Sequence, residues 1–254
     1  MINIFKAEFY RMLRTKGFIF FWLFIVITFA ISIIYREPGG ISFGAPLDYP
    51  PDIKLDIAQT AMNFTFYFLL LMPAFCIIAT EFGEHTIKNT ITSAISKKMY
   101  FISKTLFTFF YSLIALIIAN YLFYFVNRAV NGTKFSSSLA DFSKAFLGQL
   151  PVFGAVVSIF IFLAFFLRKG AALNAVAIIT PLVYATVSLT MFGINAVKKL
   201  AEHLLTYELS YMLSKLAVNC TDSYRTKCYI ISAVIMAVCF ILGYITFTKR
   251  EIDC

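Results

Sequence analysis

The chain has 254 residues, of which 60% are hydrophobic and 14% are charged, and its formal net charge is +9. Because soluble domains carry about 25% charged residues on average, this composition excludes an ordinary water-soluble globular protein. The cations flank apolar stretches, so membrane topology explains the positive charge better than nucleic-acid binding does, and no nucleic-acid partner is expected.

Residues 1–16 carry apolar side chains at helical spacing on one face, while the charged side chains lie mostly elsewhere. This pattern predicts an N-terminal amphipathic helix in the membrane interface. The alternative is a solvated basic leader that only sets the topology. The apolar residues on this face are Ile2, Phe5, Phe9, Met12 and Leu13.

Six apolar blocks of 19 to 23 residues follow, and none contains a charged residue. A helix needs roughly 20 apolar residues to cross the hydrocarbon core of a bilayer, and only helices or closed barrels satisfy their backbone polar groups there. The sequence therefore predicts an all-α membrane protein in which residues 1–254 form one transmembrane domain with six transmembrane helices. The blocks are 17–35, 61–80, 105–126, 145–167, 170–192 and 228–248.

The distribution of Lys and Arg predicts the orientation. Residues 1–16 carry four cations, whereas residues 36–60 carry two cations and four acids. Cytoplasmic flanks are enriched in Lys and Arg, so both termini are predicted in the cytoplasm and residues 36–60 in an irregular outer loop. One segment runs against this rule, because residues 193–227 are predicted outside yet hold five cations and three acids.

Signals for chemistry are absent from the sequence. The six blocks contain no Asp, Glu, Lys, Arg or His, the residues that mark proton pathways and reactive sites inside a membrane. No HExxH, CxxC or GxxxxGK[ST] motif occurs. We therefore predict no catalytic residue, metal site or cofactor in this chain, and an intramembrane enzyme is the least favoured interpretation.

Two asparagines within the blocks, Asn120 and Asn174, are the candidates for a substrate path. An asparagine at membrane depth also hydrogen-bonds neighbouring helices, so structural packing is the competing interpretation. Cys220 and Cys228 flank the last predicted outer segment, and whether they form a disulfide is left open.

Residues 81–104 connect the second and third blocks on the predicted cytoplasmic side. Glu81 directly follows the second block, and Ile87, Ile91 and Ile95 recur at every fourth position after it. Such a stripe is typical of a short amphipathic helix that docks in a groove of a partner protein. A helix lying flat on the membrane is the alternative.

This segment resembles the first cytoplasmic loop of ABC-2-type transporter permeases, whose pattern runs roughly E-x-x-x-G-T-I-K-N-x-[IL]-x-x-x-[IL]-S-[RK]-x-x-x-x-x-x-K. His85 stands where glycine is usual, and Lys97 where arginine is usual. Residues 5–16 and 246–253 are also similar to the family. The residues that fit the pattern are Glu81, Thr86, Ile87, Lys88, Asn89, Ile91, Ile95, Ser96, Lys97 and Lys104.

The resemblance implies a short cytoplasmic coupling helix that docks on a nucleotide-binding ATPase subunit, which would hold the ATP and Mg²⁺. It implies two permease subunits, identical or different, in a bacterial cell membrane. It also implies export of an amphipathic or hydrophobic substrate, such as an antimicrobial or small secreted peptide. Membrane lipid is a further expected partner. Docking is expected from Glu84, Ile87, Ile91 and Ile95, with Glu81 and Lys88 orienting the helix.

A second hypothesis is a membrane immunity or binding protein that sequesters a peptide or lipid without transporting it. Such a protein needs no ATPase and accounts for the six blocks equally well. Genomic adjacency to a nucleotide-binding subunit distinguishes the two hypotheses.

Overall fold

A computed structural model describes residues 2–37, 53–60, 70–83, 87, 96–176, 179, 209–218 and 220–249. Throughout these ranges the regular structure is helical, with no β-strand, in agreement with the all-α prediction. The helices are α1 Ile2–Arg14, α2 Lys16–Tyr35, α3 Leu55–Thr60, α4 Leu70–Phe82, α5 Lys97–Asn131, α6 Leu139–Leu147, α7 Leu150–Leu167, α8 170–176, α9 Leu209–Val218 and α10 Asp222–Lys249.

Four of the described helices, α2, α5, α7 and α10, are long and apolar enough to cross a membrane. They contain the first, third and sixth predicted blocks and most of the fourth. The second block overlaps the shorter apolar helix α4, and the fifth begins with α8. Apart from Ile179, the rest of both blocks lies outside the described residues. The described part of the chain is thus compatible with a multi-pass membrane protein.

Helix α5 is longer than the apolar block that predicts it. It begins at Lys97, after Ser96, whose Oγ accepts a hydrogen bond of 3.3 Å from the Met99 N–H. It ends before Gly132, whose φ of +68° is in the left-handed region that glycine tolerates. Because a helix rises about 1.5 Å per residue, α5 is about 52 Å long and extends past a hydrocarbon core of about 30 Å.

The first residues of the fourth block do not belong to a spanning helix. Residues 145–147 end the short helix α6, and the chain breaks at Gly148 and Gln149 before α7 begins at Leu150. Pro151 lies in the first turn of α7, where its missing N–H would have no helical partner in any case. The predicted start of this block was therefore wrong by five residues.

Helix α1 presents a different face to the bundle from the one that its apolar residues suggest. Glu8 and Met12 are buried, with exposures of 7% and 1%, whereas Phe9 and Leu13 are 49% and 41% exposed. The carboxylate of Glu8 is accepted inside because it meets a buried cation on α5. Glu8, one of the charged residues off the apolar face, therefore lies inside the protein.

The protein core lies around α7, of whose apolar stretch 61% is buried, compared with 17% for α10. At Gly154 the helix approaches its neighbours closely: a Cβ placed there would lie 3.2 Å from Met236 Sδ and 3.4 Å from Phe109 Cζ. Small residues allow membrane helices to pack at this distance.

We expect Gly154→Leu to separate α7 from α10 and to lower the free energy of unfolding by about 1–3 kcal/mol, the usual cost of overpacking. Ala237→Leu is the matched control, since Ala237 is exposed on α10 next to Met236. Thermal unfolding of both variants in detergent measures the difference. Equal midpoints would contradict the close packing at Gly154.

Candidate functional site

Four charged side chains and one tyrosine meet where α1, the end of α4 and the first turns of α5 converge. Lys104 Nζ on α5 lies 2.6 Å from Glu8 Oε1 and 2.8 Å from Glu81 Oε1. The Arg11 guanidinium also pairs with Glu81 Oε1, and the Tyr100 hydroxyl donates a hydrogen bond to Glu81 Oε2. These five residues are called the charge cluster.

The charge cluster is neutral as a group and largely withdrawn from solvent. The side chains of Glu81 and Lys104 are each 2% exposed and that of Glu8 is 9% exposed, while Arg11 retains 39% exposure. Burying an ion is costly unless a partner compensates its charge. The two carboxylates and two cations satisfy this condition only together, so the cluster holds three helices in one arrangement.

The surroundings of Glu81 keep its carboxyl group ionised. Burial alone would raise the pKa of Glu81, but the charges of Lys104 and Arg11 and the hydrogen bonds from Lys104 and Tyr100 hold this pKa below its ordinary value. A group with a lowered pKa in the folded state stabilises the fold above its ordinary pKa, which is about 4.3 for Glu. This contribution is lost as the pH falls through the lowered value.

Helical spacing brings the members of the charge cluster to the same point. Glu8 and Arg11 are three residues apart on α1, and Tyr100 and Lys104 are four residues apart on α5, so each pair shares one helix face. Lys104 Nζ also lies 5.5 Å from the centre of the Tyr100 ring. The capped start of α5 at Lys97 is what makes the segment around Tyr100 helical.

Aromatic rings pack beside the charge cluster and join it to the far helices. The Tyr100 ring stacks on Phe247 of α10 with centroids 5.7 Å apart, and Phe101 contacts Phe165 of α7 at 4.7 Å. Phe82, next to Glu81, meets the edge of Phe165 at 6.2 Å. The ion pairs are thus backed by apolar side chains, which strengthens their electrostatic interaction by lowering the local dielectric.

A second polar network lies at the other end of α5. Asp56 on the short helix α3 is fully buried, and its Oδ2 accepts hydrogen bonds from the N–H and Oγ of Ser137, at 2.8 and 2.6 Å. Asn127 on α5 donates to Ser136 Oγ at 2.9 Å, and Asn131 donates to the Ile33 carbonyl at 3.0 Å. These five side-chain positions, Asp56, Asn127, Asn131, Ser136 and Ser137, are called the Asp56 network.

The Asp56 network corrects the prediction of an irregular loop over residues 36–60. Residues 55–60 form α3, and Asp56, Gln59 and Thr60 are each 0% exposed. Thr60 Oγ1 accepts a hydrogen bond of 2.8 Å from the Gln149 amide at the break before α7. The polar residues of this helix are buried because they find partners on α2, in the connection between α5 and α6, and at the break before α7. The local composition does not reveal these partners.

The spacing of the two networks along α5 matches a membrane. Lys104 and Asn127 are separated by 23 residues, which corresponds to about 35 Å of helix. The hydrocarbon core of a bilayer is about 30 Å thick, and the residues between the two networks are uncharged. This spacing is compatible with a membrane-crossing α5 that has the charge cluster near one surface and the Asp56 network near the other.

The predicted docking residues are only partly described. Ile87 is helical and 1% exposed, and it belongs to the hydrophobic core, so it offers no surface to a partner in this arrangement. Glu84, Lys88, Ile91 and Ile95 lie outside the described residues. Glu81, predicted to orient the coupling helix, bonds to α1 and α5 in the charge cluster.

The two candidate residues of a substrate path are in different surroundings. Asn120 is 1% exposed, and its amide donates to the Leu116 carbonyl at 3.0 Å, one turn earlier in α5. This bond lies within α5, so it neither joins a neighbouring helix, as the packing interpretation predicts, nor contacts a substrate. Asn174 is half-buried on α8. Cys220 and Cys228 are both free thiols, so the structure contains no disulfide between them.

Sequence reasoning missed Arg11 and Tyr100 as partners of Glu81, and Glu8 as a partner of Lys104. The signal in the sequence was on α1, where the acid Glu8 and the base Arg11 are three residues apart and lie beside an apolar face. Among the described residues, no group of three or more His, Cys, Asp and Glu side chains is placed to hold a metal ion.

No protein-family model matches this chain, and no curated protein matches it in sequence. The function is therefore inferred from the residues of this chain, chiefly from Glu81, Lys104 and the sequence between them.

Proposed function

We propose that this chain is the permease subunit of a bacterial ABC exporter, which moves an amphipathic or hydrophobic substrate with energy from ATP hydrolysis in a separate subunit. Antimicrobial or small secreted peptides are the substrate class in this proposal. The observation that carries it is the 2.8 Å ion pair between Glu81 and Lys104, the first and last residues of the coupling-loop pattern. Pairing them fixes both ends of the segment that would dock on the ATPase.

The charge cluster supports a mechanism for coupling. The segment between Glu81 and Lys104 connects α4 to α5, and both anchor points share one set of ion pairs. A displacement of this segment by the ATPase would therefore move the cytoplasmic ends of α4 and α5 together, as a rigid body. Because Glu8 and Arg11 belong to the same cluster, α1 would follow the movement.

The burial of Ile87 refines the docking surface within this proposal. In a helix of 3.6 residues per turn, each step of four residues turns the stripe by about 40°. The proposal takes residues 87–95 as one such helix, in which Ile95 lies about 80° from Ile87 around the helix axis. In the proposal Ile87 anchors the segment on the bundle, Ile91 and Ile95 contact the ATPase, and Glu84 and Lys88 flank this contact.

The remaining parts of the proposal are its topology and assembly. Both termini and the coupling segment would face the cytoplasm, and two permease subunits, identical or different, would pair with two ATPase subunits that bind ATP and Mg²⁺. The spacing of about 35 Å between the charge cluster and the Asp56 network supports this placement across the membrane.

The decisive experiment replaces both Ile91 and Ile95 by Asp and measures co-purification of the nucleotide-binding subunit from the native membrane. We expect the complex to be lost, because two carboxylates cannot enter an apolar groove without desolvation. The matched control, Asn89→Asp with Ser93→Asp, adds the same charge to the opposite face and should retain the complex.

Persistence of the complex in the Ile91→Asp, Ile95→Asp variant would contradict the docking role. If the unaltered chain brings down no ATPase under mild conditions, the exporter proposal fails. The stand-alone immunity or binding protein would then be the better description.

A further inference from the structure

Helices α1, α2 and α5 enclose an apolar groove that the proposed exporter mechanism does not use. Its volume is about 480 Å³, within the range of about 300–1,000 Å³ that small-molecule sites occupy. The groove is lined by Phe5, Phe9 and Leu13 of α1, by Trp22 of α2, and by the side of α5 between Leu106 and Ile118.

The dimensions of the groove suit one acyl chain. Its wall on α5 runs from Leu106 to Ile118. These two residues are twelve positions apart, which corresponds to about 18 Å along a helix. One leaflet contributes about 15 Å, half of the hydrocarbon core. The α5 residues at its rim, Phe110, Ile114 and Ile118, are 57%, 53% and 55% exposed, so the groove is open on the side where lipid would lie.

A cationic edge runs beside the apolar groove. Lys6, Tyr10 and Arg14 each follow a groove residue of α1 by one position, about 100° further around the helix, and all three are exposed. The Arg14 guanidinium lies over the Tyr10 ring, 4.5 Å from its centre.

The acidic residue of α1 does not oppose this positive edge. Glu8 lies on the opposite side of the helix and is paired with Lys104 at 2.6 Å. Within the described part of the chain, Lys6 and Arg14 make no ion pair. An apolar channel as long as one leaflet, with such cations along one edge, is complementary to an anionic phospholipid. Anionic lipids are attracted by Lys and Arg near the membrane surface.

We propose that α1, α2 and α5 form a binding site for an anionic phospholipid, with one acyl chain in the groove and the headgroup at Lys6 and Arg14. The lipid would hold α1 against α2 and α5, next to the charge cluster. This site belongs to the isolated chain and requires neither an ATPase nor a transported substrate.

Trp22 makes the site directly measurable because it is the single tryptophan of the chain and lines the groove. The chain is reconstituted in phosphatidylcholine nanodiscs that contain increasing fractions of phosphatidylglycerol with brominated acyl chains, which quench tryptophan fluorescence on contact. Parallel discs contain brominated phosphatidylcholine at the same fractions. We expect brominated phosphatidylglycerol to bind about five-fold more tightly or better, as expected for one or two cations at a headgroup.

The variant Lys6→Gln, Arg14→Gln should remove most of this preference while leaving quenching by bulk lipid unchanged. The control Lys169→Gln, Lys249→Gln removes the same charge from exposed residues at the ends of α7 and α10, and it should retain the preference. Circular dichroism checks that all variants keep their helix content.

Two results would overturn the lipid site. Equal quenching by both headgroups, or a preference that survives Lys6→Gln, Arg14→Gln, means that the groove meets only bulk lipid. A Trp22 shielded from both brominated lipids, with cross-links between copies of a Phe9→Cys variant that the unaltered chain does not form, means that a second copy of the chain fills the groove. Neither result bears on ATPase docking, so the two proposals fail independently.

Discussion

Replacing Lys104 by methionine is expected to lower the free energy of unfolding by about 3–5 kcal/mol, the usual cost of removing one partner of a buried ion pair. Methionine keeps most of the length of the side chain but removes the charge that faces both Glu8 and Glu81. Among the cations of the described residues, Arg11 would then remain beside the two carboxylates, and it is partly exposed. Thermal unfolding in detergent measures the loss, and limited proteolysis measures the release of α1.

The double variant Lys104→Met, Glu81→Gln tests whether the charge cluster acts as one unit. It removes one charge of each sign and leaves Glu8 with Arg11, so its destabilisation should be smaller than the sum of the two single changes. Lys98→Met, at an exposed position two turns earlier in α5, is the control and should leave the midpoint nearly unchanged. Strictly additive losses from Lys104 and Glu81 would show that the pairs are independent.

Hydropathy predicted where the apolar helices lie but not where they end. An uncharged stretch reveals the part of a helix that hydrocarbon can solvate, whereas the ends of α5 depend on Ser96 as a cap and on the positive φ of Gly132. The break before α7 depends on Gly148 and Gln149, which are uncharged and do not interrupt an apolar block. Local polar contacts set these boundaries, and mean hydropathy does not register them.

The candidate site was predictable at two of its five residues. Glu81 and Lys104 stand at the ends of a sequence pattern, but their contact with Glu8 and Arg11 arises only when α1 packs on α4 and α5. On the sequence alone, charges on an amphipathic helix are expected to face water or headgroups. Lys104 directly precedes the third uncharged block and is buried, so its charge needs an anion beside it. Glu8 lies inside the protein because it supplies that anion.

Contacts between distant parts of the chain also explain why the structure around Asp56 was not predicted. The composition of its segment indicated an irregular loop. Its neighbourhood in the sequence is rich in Pro, Gly and Asp, and nothing there indicates that Ser137 will supply two hydrogen-bond donors. Long-range partners of buried polar groups were therefore the part of both networks that the sequence left open.

Replacing Asp56 by alanine is expected to lower the free energy of unfolding by about 3 kcal/mol. The change removes two hydrogen bonds to a charged acceptor, each worth about 1.5–3 kcal/mol, and leaves the buried N–H and hydroxyl of Ser137 without that acceptor. Asp56→Asn keeps an oxygen at the same place and should cost less than half as much. Hydrogen exchange should show faster opening of α3 in the alanine variant.

Asp141 provides the matched control, since it is an exposed carboxylate in the first turn of the neighbouring helix α6. Asp141→Ala should cost under about 1 kcal/mol, the usual value of a surface charge at a helix N-terminus. Equal losses at Asp56 and Asp141 would mean that the Asp56 network does not hold α3 in place. A larger loss at Asp56, together with the loss at Lys104, would show that buried polar contacts fix α5 at both ends, about 35 Å apart. In the proposed exporter, a movement imposed at the charge cluster would then reach the Asp56 network through one rigid helix.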